Sequence, residues 1–274
     1  MSLYDFLNMR HELLLTILML AVLIIDLSLS EKKKHLIIPL SLGLFIVYTL
    51  SGFLPTEDTI LFGGMYKSNA LLVMMKNVLN VGVSIILFQS VSWLKKPENK
   101  GKVSEYFIIL FSTLIGMEFM ISSGDFLMLY IGLELATIPL ATLAAFTHHQ
   151  TKSAESGIKL LLTSALSSGI LLFGISLIYG STGSIYYDDI RIVFSNSPLQ
   201  LLAFIFFFSG IAFKLSLVPF HLWTADVYEG APINVTSYLS VISKGAAAFI
   251  LVIVLFTVFP VISPIWKNII YLIA

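Results

Sequence analysis

Residues 213–232 read FKLSLVPFHLWTADVYEGAP and carry a lysine and a proline inside an apolar segment. Beyond Pro219 the sequence stays apolar for a few residues and then turns polar at Thr224. Proline removes a backbone donor and interrupts a helix, and unwound backbone at membrane depth is tolerated only inside protein or beside a water-filled cavity. The stretch is typical of a discontinuous transmembrane helix, which marks transfer sites in transporters. An ordinary proline kink near a helix end is equally consistent with it.

The composition of the whole chain indicates a membrane protein. Of its 274 residues, 57% are hydrophobic and 12% are charged, whereas a soluble domain carries about 25% charged residues. The mean hydropathy is +0.94. Sixteen basic and sixteen acidic residues leave no net charge, which argues against nucleic acid as a partner. The chain has no cysteine, which excludes disulfides, cysteine-ligated iron–sulfur clusters and cysteine-based zinc sites.

Eight apolar runs are long enough to cross a bilayer, for which a helix needs about 20 residues. A ninth run, from Ile265 to Ala274, is too short. The pattern predicts an all-α, polytopic helix bundle in three segments: 1–100 with spans 1–3, 101–259 with spans 4–8, and 260–274 with the truncated start of a further helix. The eight runs are Leu13–Leu29, Leu36–Leu54, Asn69–Leu94, Glu105–Ile121, Phe126–Phe146, Ala154–Tyr179, Leu199–Leu217 and Val235–Phe259.

The distribution of lysine and arginine over the loops predicts the orientation, because cytoplasmic loops carry the excess. The first, third and fifth loops hold eight of these residues and the opposite side holds four. We therefore expect the N-terminus to face outward. The eight are Lys32, Lys33, Lys34, Lys95, Lys96, Lys100, Lys102 and Lys152, and the four are Arg10, Lys67, Arg191 and Lys267.

Several ionisable residues lie within the apolar runs, where a charge at the bilayer centre costs about 2.5–3.5 kcal/mol. Glu134 and Lys244 are near the middle of their runs, and Lys214 precedes the proline of the quoted stretch by five residues. Lys159 follows Glu155 by one helical turn, so these two side chains can pair. Buried charge pairs are weak evidence for stability. A proton or ion path therefore explains the set better than ion pairs that only hold helices together.

Three other ionisable residues lie within the runs, and each can be interpreted in two ways. Asp26 lies near a helix end beside the basic first loop, which favours an interfacial carboxylate. Lys76 lies about two turns into its run and Glu118 lies near the end of its own. Each can reach an interface by snorkelling or fill a buried polar role. The adjacent His148 and His149 do not share a helix face and lack a nearby carboxylate cluster, so we expect no metal site.

Residues 213–232 closely resemble a signature of the antiporter-like membrane subunits of respiratory complex I, NADH:quinone oxidoreductase, and most of all its subunit N branch. The resemblance is strong over residues 105–259 and looser over the first three spans. Ala225 stands where the family commonly has proline. Further stretches agree in order and spacing, namely YIGLEL at 130–135, ESGIKL at 155–160 and SKGA at 243–246.

The resemblance implies functional roles for particular residues. Pro219 and His221 would belong to the supporting region of the broken seventh helix. The family has two inverted five-helix repeats, and this sequence supplies only the first, spans 4–8. We therefore expect the chain to be the first part of a longer subunit. The implied proton-transfer residues, on spans 5 to 8 in order, are Glu134, Lys159, Lys214 and Lys244.

The resemblance further implies a non-redox subunit of a proton-translocating enzyme, driven by quinone reduction elsewhere in the complex. This chain would bind no cofactor, and FMN, iron–sulfur clusters, NADH and quinone would bind to other subunits. Its partners would be the other membrane and peripheral subunits and the lipid of the bacterial inner (plasma) membrane. Two alternatives stay open: a subunit of a multisubunit cation/proton antiporter, and a scaffold bundle that conducts no ions.

Overall fold

The computed structural model describes residues 6–273 and is almost entirely helical. Eight of its helical segments are long and apolar enough to cross a membrane, which confirms the predicted spans. In chain order the helices are α1 (Arg10–Ser28), α2 (Ile37–Ser51), α3 (Ala70–Leu94), α4 (Val103–Ile121), α5 (Phe126–Ala144), α6 (Thr151–Thr182), α7 (Tyr187–Val193), α8 (Pro198–Leu215), α9 (Leu222–Gly230), α10 (Ile233–Thr257) and α11 (Ser263–Ile273).

The candidate spans are α1 to α6, α8 and α10, so the chain is a multi-pass membrane protein. Side chains that face away from the bundle are mostly Leu, Ile, Val and Phe. Such an exposed apolar surface suits hydrocarbon rather than water. Short 3₁₀ segments connect several of the helices, at Glu31–Leu36, Phe62–Gly64, Pro97–Asn99 and Pro260–Ile262.

A small antiparallel hairpin covers the connection between α4 and α5. Its strands, β1 (Thr59–Leu61) and β2 (Tyr66–Ser68), pair with Thr59 opposite Ser68. The amide of Gly124, in the α4–α5 turn, donates to the carbonyl of Met65 at 2.6 Å. The side chain of Tyr66, on β2, is fully buried. Burial raises the pKa of its phenol to about 12. The tyrosine therefore stays protonated and remains a hydrogen-bond donor.

The seventh span is interrupted as the quoted stretch predicted. Helix α8 ends at Leu215, Ser216 adopts a left-handed conformation with φ 59°, and α9 begins only at Leu222. The peptide bond before Pro219 is cis. This interruption contradicts the alternative of a simple proline kink, because non-helical backbone separates two helices with separate ends. Helix α9 then packs along α6.

Glycines allow a very close helix contact between α4 and α5. A Cβ added at Gly116 would lie 2.7 Å from the carbonyl carbon of Leu135 and 2.8 Å from the carbonyl oxygen of Gly132. In the other direction, a Cβ added at Gly132 on α5 would lie 2.7 Å from the amide nitrogen of Met120 on α4. Small residues allow this backbone-to-backbone packing, which drives helix association in membranes. The two helices therefore form one tightly joined pair.

We expect Gly116→Ala to destabilise the protein by about 1–3 kcal/mol, because the added methyl forces two backbones apart. Gly43→Ala is the matched control, since a Cβ at Gly43 meets nothing within 4 Å. Thermal unfolding of the purified protein in detergent measures both changes. Equal melting temperatures for the two variants would contradict the close packing of α4 on α5.

Candidate functional site

Lys214 lies in the last turn of α8, directly before the break. Its ammonium donates a hydrogen bond to the hydroxyl of Thr137 on α5. The C-terminal end of a helix carries partial negative charge, which favours a cation at this position. The lysine is thus held by a neutral hydroxyl and a helix end, an arrangement that does not fix a permanent ion pair.

Glu134 precedes Thr137 by three residues and lies on the same face of α5. It interacts electrostatically with Lys214, but within residues 6–273 the two groups do not form an ion pair at 4.0 Å or less. The Glu134 Oε1 atom is buried and has no hydrogen-bond partner in the described chain. The acid and the lysine are therefore near each other without direct contact.

Lys244 follows a π-helical stretch of α10, Tyr238–Ser243. Such stretches are rare and occur frequently at functional sites. The Lys244 Nζ atom lies 5.2 Å from the ring centre of Tyr228 on α9, over the face of the ring. This cation–π contact stabilises the ammonium without a carboxylate.

A small internal cavity connects the two lysines. Lys214 and Lys244 both line it, and the space open to the centre of a water molecule is about 20 Å³. A volume of roughly 10–15 Å³ is enough for one water. Hydroxyl groups, which can both donate and accept a proton, make up much of the polar lining. They belong to Thr137, Ser164, Ser167, Ser168 and Ser243.

The structure does not bring Lys159 to this cavity. Its ammonium forms ion pairs with Glu155 at 2.6 Å and with Asp226 of α9 at 2.7 Å, and the side chain is 40% exposed. A second pair, between Lys152 and Glu229 at 2.5 Å, lies beside it. Lys159 therefore takes part in the attachment of α9 to α6 and does not itself line the cavity.

The two residues assigned to the broken helix also lie outside the cavity lining. Pro219 and His221 are exposed in the interruption. Trp223 lines the cavity instead, and its indole N–H donates to the carbonyl of Phe213 at 3.3 Å across the break. Hydrogen bonds of this kind satisfy backbone groups that the interruption frees.

Sequence reasoning missed the hydroxyl partner of Lys214 and the aromatic partner of Lys244. Thr137 could have been found from its i+3 spacing to Glu134. Tyr228 gave no comparable signal, because its contact with Lys244 depends on how α9 folds back after the break.

Lys76 and Glu118 could each snorkel to an interface or fill a buried polar role, and the structure supports the buried role for both. Both side chains are at most 1% exposed, and Lys76 forms an ion pair with Glu12 of α1. Snorkelling to an interface is therefore wrong for both residues. Asp26, near the end of α1, is only partly buried. In the described part of the chain, no group of three or more His, Asp or Glu side chains is arranged to hold a metal ion.

Exchange of the two charges in the Lys152–Glu229 pair tests the attachment of α9 to α6. We expect Glu229→Lys alone to lower the melting temperature, because two cations then face each other. The double variant Lys152→Glu with Glu229→Lys should recover part of the loss, as a double-mutant cycle requires of interacting residues. Strictly additive effects of the two changes in thermal unfolding would show that the pair contributes nothing to this contact.

Comparison with known proteins shows which protein family this chain matches. Residues 123–274 match the family described as NADH:quinone oxidoreductase/Mrp antiporter, transmembrane. A protein of Phocaeicola vulgatus named NADH-quinone oxidoreductase subunit N is 46% identical over 273 residues, which cover 100% of this chain and 58% of that protein. A protein of Azobacteroides pseudotrichonymphae with the same name is 48% identical over 271 residues, which cover 98% of this chain and 56% of that protein.

A solved structure agrees with the sequence relatives. A chain of respiratory complex I from Thermus thermophilus superposes with a TM-score of 0.71 at 26% identity, over 88% of this chain and 52% of that one. A chain of an archaeal membrane-bound sulfane sulfur reductase shares the fold, with a TM-score of 0.73 at 20% identity. The present chain thus spans between 52% and 58% of the length of the first three of these proteins.

Proposed function

The chain belongs to the NADH:quinone oxidoreductase/Mrp antiporter transmembrane family, and we propose that it forms part of the proton-translocating membrane arm of an NADH:quinone oxidoreductase, respiratory complex I. The names of the two relatives that align with nearly the whole chain support this assignment. In that role the chain is a non-redox subunit of a translocase. It resides in the bacterial inner membrane with its N-terminus outside.

One observation carries the proposal. Lys214 and Lys244 line the same hydroxyl-bearing cavity, at the point where the seventh span is interrupted and beside Glu134. A single water and a few hydroxyls can link two ammonium groups through hydrogen bonds, and a proton can move along such a chain. A site built only for stability has no need of two lysines around a water-sized space.

The geometry suggests how proton transfer is controlled. The negative charge of Glu134 stabilises the ammonium of Lys214 across a gap. When Glu134 takes up a proton or moves away, that stabilisation is lost and Lys214 can pass its proton towards Lys244. The neutral amine can still donate a hydrogen bond to the Thr137 oxygen, whose own hydrogen is donated to the carbonyl of Leu133 at 2.6 Å. Because Glu134 and Lys214 do not form a direct pair, little energy is needed to change their separation.

The chemistry that drives this movement takes place outside the described chain. We propose that FMN, iron–sulfur clusters, NADH and quinone bind to other subunits and that this chain binds none of them. Its partners are the neighbouring membrane subunits, the peripheral subunits and lipid. Lys159 stays a proposed proton-transfer residue through the resemblance alone. Its ion pairs with Glu155 and Asp226 favour instead a role of Lys159 in holding α9 in position.

A second candidate function follows from the family description, which also includes Mrp antiporters. In that case the chain exchanges a cation for protons without a dehydrogenase. Exchange that depends on sodium in vesicles lacking the peripheral subunits would favour this candidate. Co-purification with subunits that carry flavin and iron–sulfur clusters would favour the first.

We expect Glu134→Ala and Lys214→Met each to reduce proton translocation several-fold in the assembled complex, because each removes a charge of the proposed transfer step. Proton uptake by inverted membrane vesicles during NADH oxidation measures the effect. Lys96→Met is the control, since Lys96 is exposed and lies outside the cavity lining. Unchanged translocation in both site variants would refute the assignment.

We expect Ser164→Leu to reduce translocation without removing any charge, because the larger side chain fills the water-sized cavity. Ser209→Leu is the control, because Ser209 also bonds to a carbonyl one turn earlier but does not line the cavity. The same vesicle assay applies. Equal activity of Ser164→Leu and wild type would show that the cavity is not on the proton path.

A further inference from the structure

The first four helices contain a second cluster of charged side chains, which the proposed transfer path does not use. Glu12 on α1, Lys76 on α3 and Glu118 on α4 are each at most 1% exposed. None of them lines the cavity between Lys214 and Lys244. The cluster therefore combines two carboxyl groups with one ammonium in a region from which water is excluded.

The hydrogen bonds of Glu12 are those of an ionised carboxylate. Its Oε1 atom accepts from the ammonium of Lys76, and its Oε2 atom accepts from the hydroxyl of Tyr66 at 3.0 Å. Tyr66 stays protonated as described above, so it remains a donor. Both carboxylate oxygens are thus satisfied, as burial of a charged group requires.

The hydrogen bonds of Glu118 follow a different pattern. Its Oε1 atom accepts two hydrogen bonds, from the hydroxyl of Tyr48 and from the amide nitrogen of Asn80 at 3.1 Å. Its Oε2 atom is buried and has no partner among residues 6–273, and the same holds for the Asn80 Oδ1 atom. An ionised carboxylate with one oxygen left without a donor is costly in a buried site. A proton on Oε2 removes the charge and converts this atom into a donor.

The charge count leads to the same result. Lys76 neutralises one carboxylate and cannot neutralise two, and an unpaired buried charge costs several kcal/mol at least. Lys76 also interacts electrostatically with Glu118, but its direct ion pair is with Glu12. The neutral state of the cluster is therefore an ionised Glu12, a charged Lys76 and a protonated Glu118.

The groups that face this cluster from neighbouring helices leave that balance intact. On α1, His11 shares a 3.2 Å hydrogen bond with Asn77, a bond that a neutral imidazole can donate. On α10, Tyr238 bonds to Thr113 at 2.7 Å, one and a half turns from Glu118 on α4. On α5, the residues closest to Gly116 of α4 are Gly132, Leu135 and Ala136, which are not ionisable, and the nearby Glu134 forms no hydrogen bond with Glu118 in the described chain.

We propose that Glu118 is a proton-binding site, occupied by a proton in the resting protein, with Lys76 and Glu12 as its charge-balancing pair. This site is separate from the Glu134–Lys214–Lys244 path and does not depend on the proposed function. It is linked to α10, the helix that carries Lys244, through Thr113 and Tyr238. Loss of the Glu118 proton would place an uncompensated negative charge one helix away from the transfer path.

Infrared spectroscopy of the purified protein in lipid tests the proposal directly. A protonated carboxyl group has a C=O stretching band that is well separated from that of a carboxylate and shifts in D₂O. We expect this band in the wild-type protein and its loss in Glu118→Gln. Because the amide of Gln imitates a protonated acid, Glu118→Gln should keep the wild-type melting temperature. Glu105→Gln, at an exposed position of the same helix, is the control and should keep the band.

Glu12→Gln provides the sharper test. With Glu12 neutral, Glu118 is the only carboxylate left for Lys76, so Glu118 should release its proton and its band should disappear. A Glu118 band that persists in Glu12→Gln would overturn the proposed charge balance. A wild-type spectrum that does not change in Glu118→Gln would overturn the proton site itself.

Tyr48→Phe keeps the proposal testable if the Glu118 variants do not fold. This change removes the hydroxyl that donates to Glu118 Oε1, so the C=O band should move to higher frequency without loss of intensity. An unchanged frequency would overturn the assignment of the band to Glu118. None of these measurements requires proton pumping, so the proton site and the proposed function can fail separately.

Discussion

Hydrocarbon cannot solvate a charge, and this constraint accounts for the position of each ionisable side chain inside the bundle. A buried ammonium or carboxylate must find its stabilising groups in the protein. The chain meets this need in two ways. Lys76 is fixed by a direct ion pair with Glu12. Lys214 and Lys244 form no direct ion pair in the described part of the chain and are held by a hydroxyl, a helix end and an aromatic ring. The first arrangement holds a charge in place, and the second suits the proton transfer that we propose for these lysines.

The same constraint applies to the backbone polar groups of the interrupted seventh span. Six residues between α8 and α9 make no regular helix, and their polar atoms need partners at membrane depth. The Trp223 indole bonds to the carbonyl of Phe213, and Thr224 bonds to the hydroxyl of Ser216 at 2.6 Å. These bonds satisfy polar groups at the break, which leaves Pro219 and His221 exposed and places Lys214 at a helix end.

Much of the fold could be predicted from the sequence, because apolar runs of bilayer length have few alternative structures. The interruption after Lys214 was also visible, since proline in an apolar run has a defined effect on the backbone. The partner of Lys76 was not visible. Glu12 lies just before the first predicted run, at a position that reads as solvent-exposed, and the β1–β2 hairpin buries it through Tyr66. Contacts that depend on how a helix folds back, such as Lys244 with Tyr228, leave little trace in residue spacing.

The backbone contact between α4 and α5 joins the two charge systems mechanically. Glu118 lies on α4 and Glu134 on α5, and glycines bring these helices so close that neither can slide past the other without a backbone clash. The backbone segments that carry the two acids are therefore held at a nearly constant separation. In the proposed transfer step, a change in the gap between Glu134 and Lys214 must then come from α8 and the irregular backbone after it. In that step the broken helix would move, and the α4–α5 pair would be the frame against which it moves.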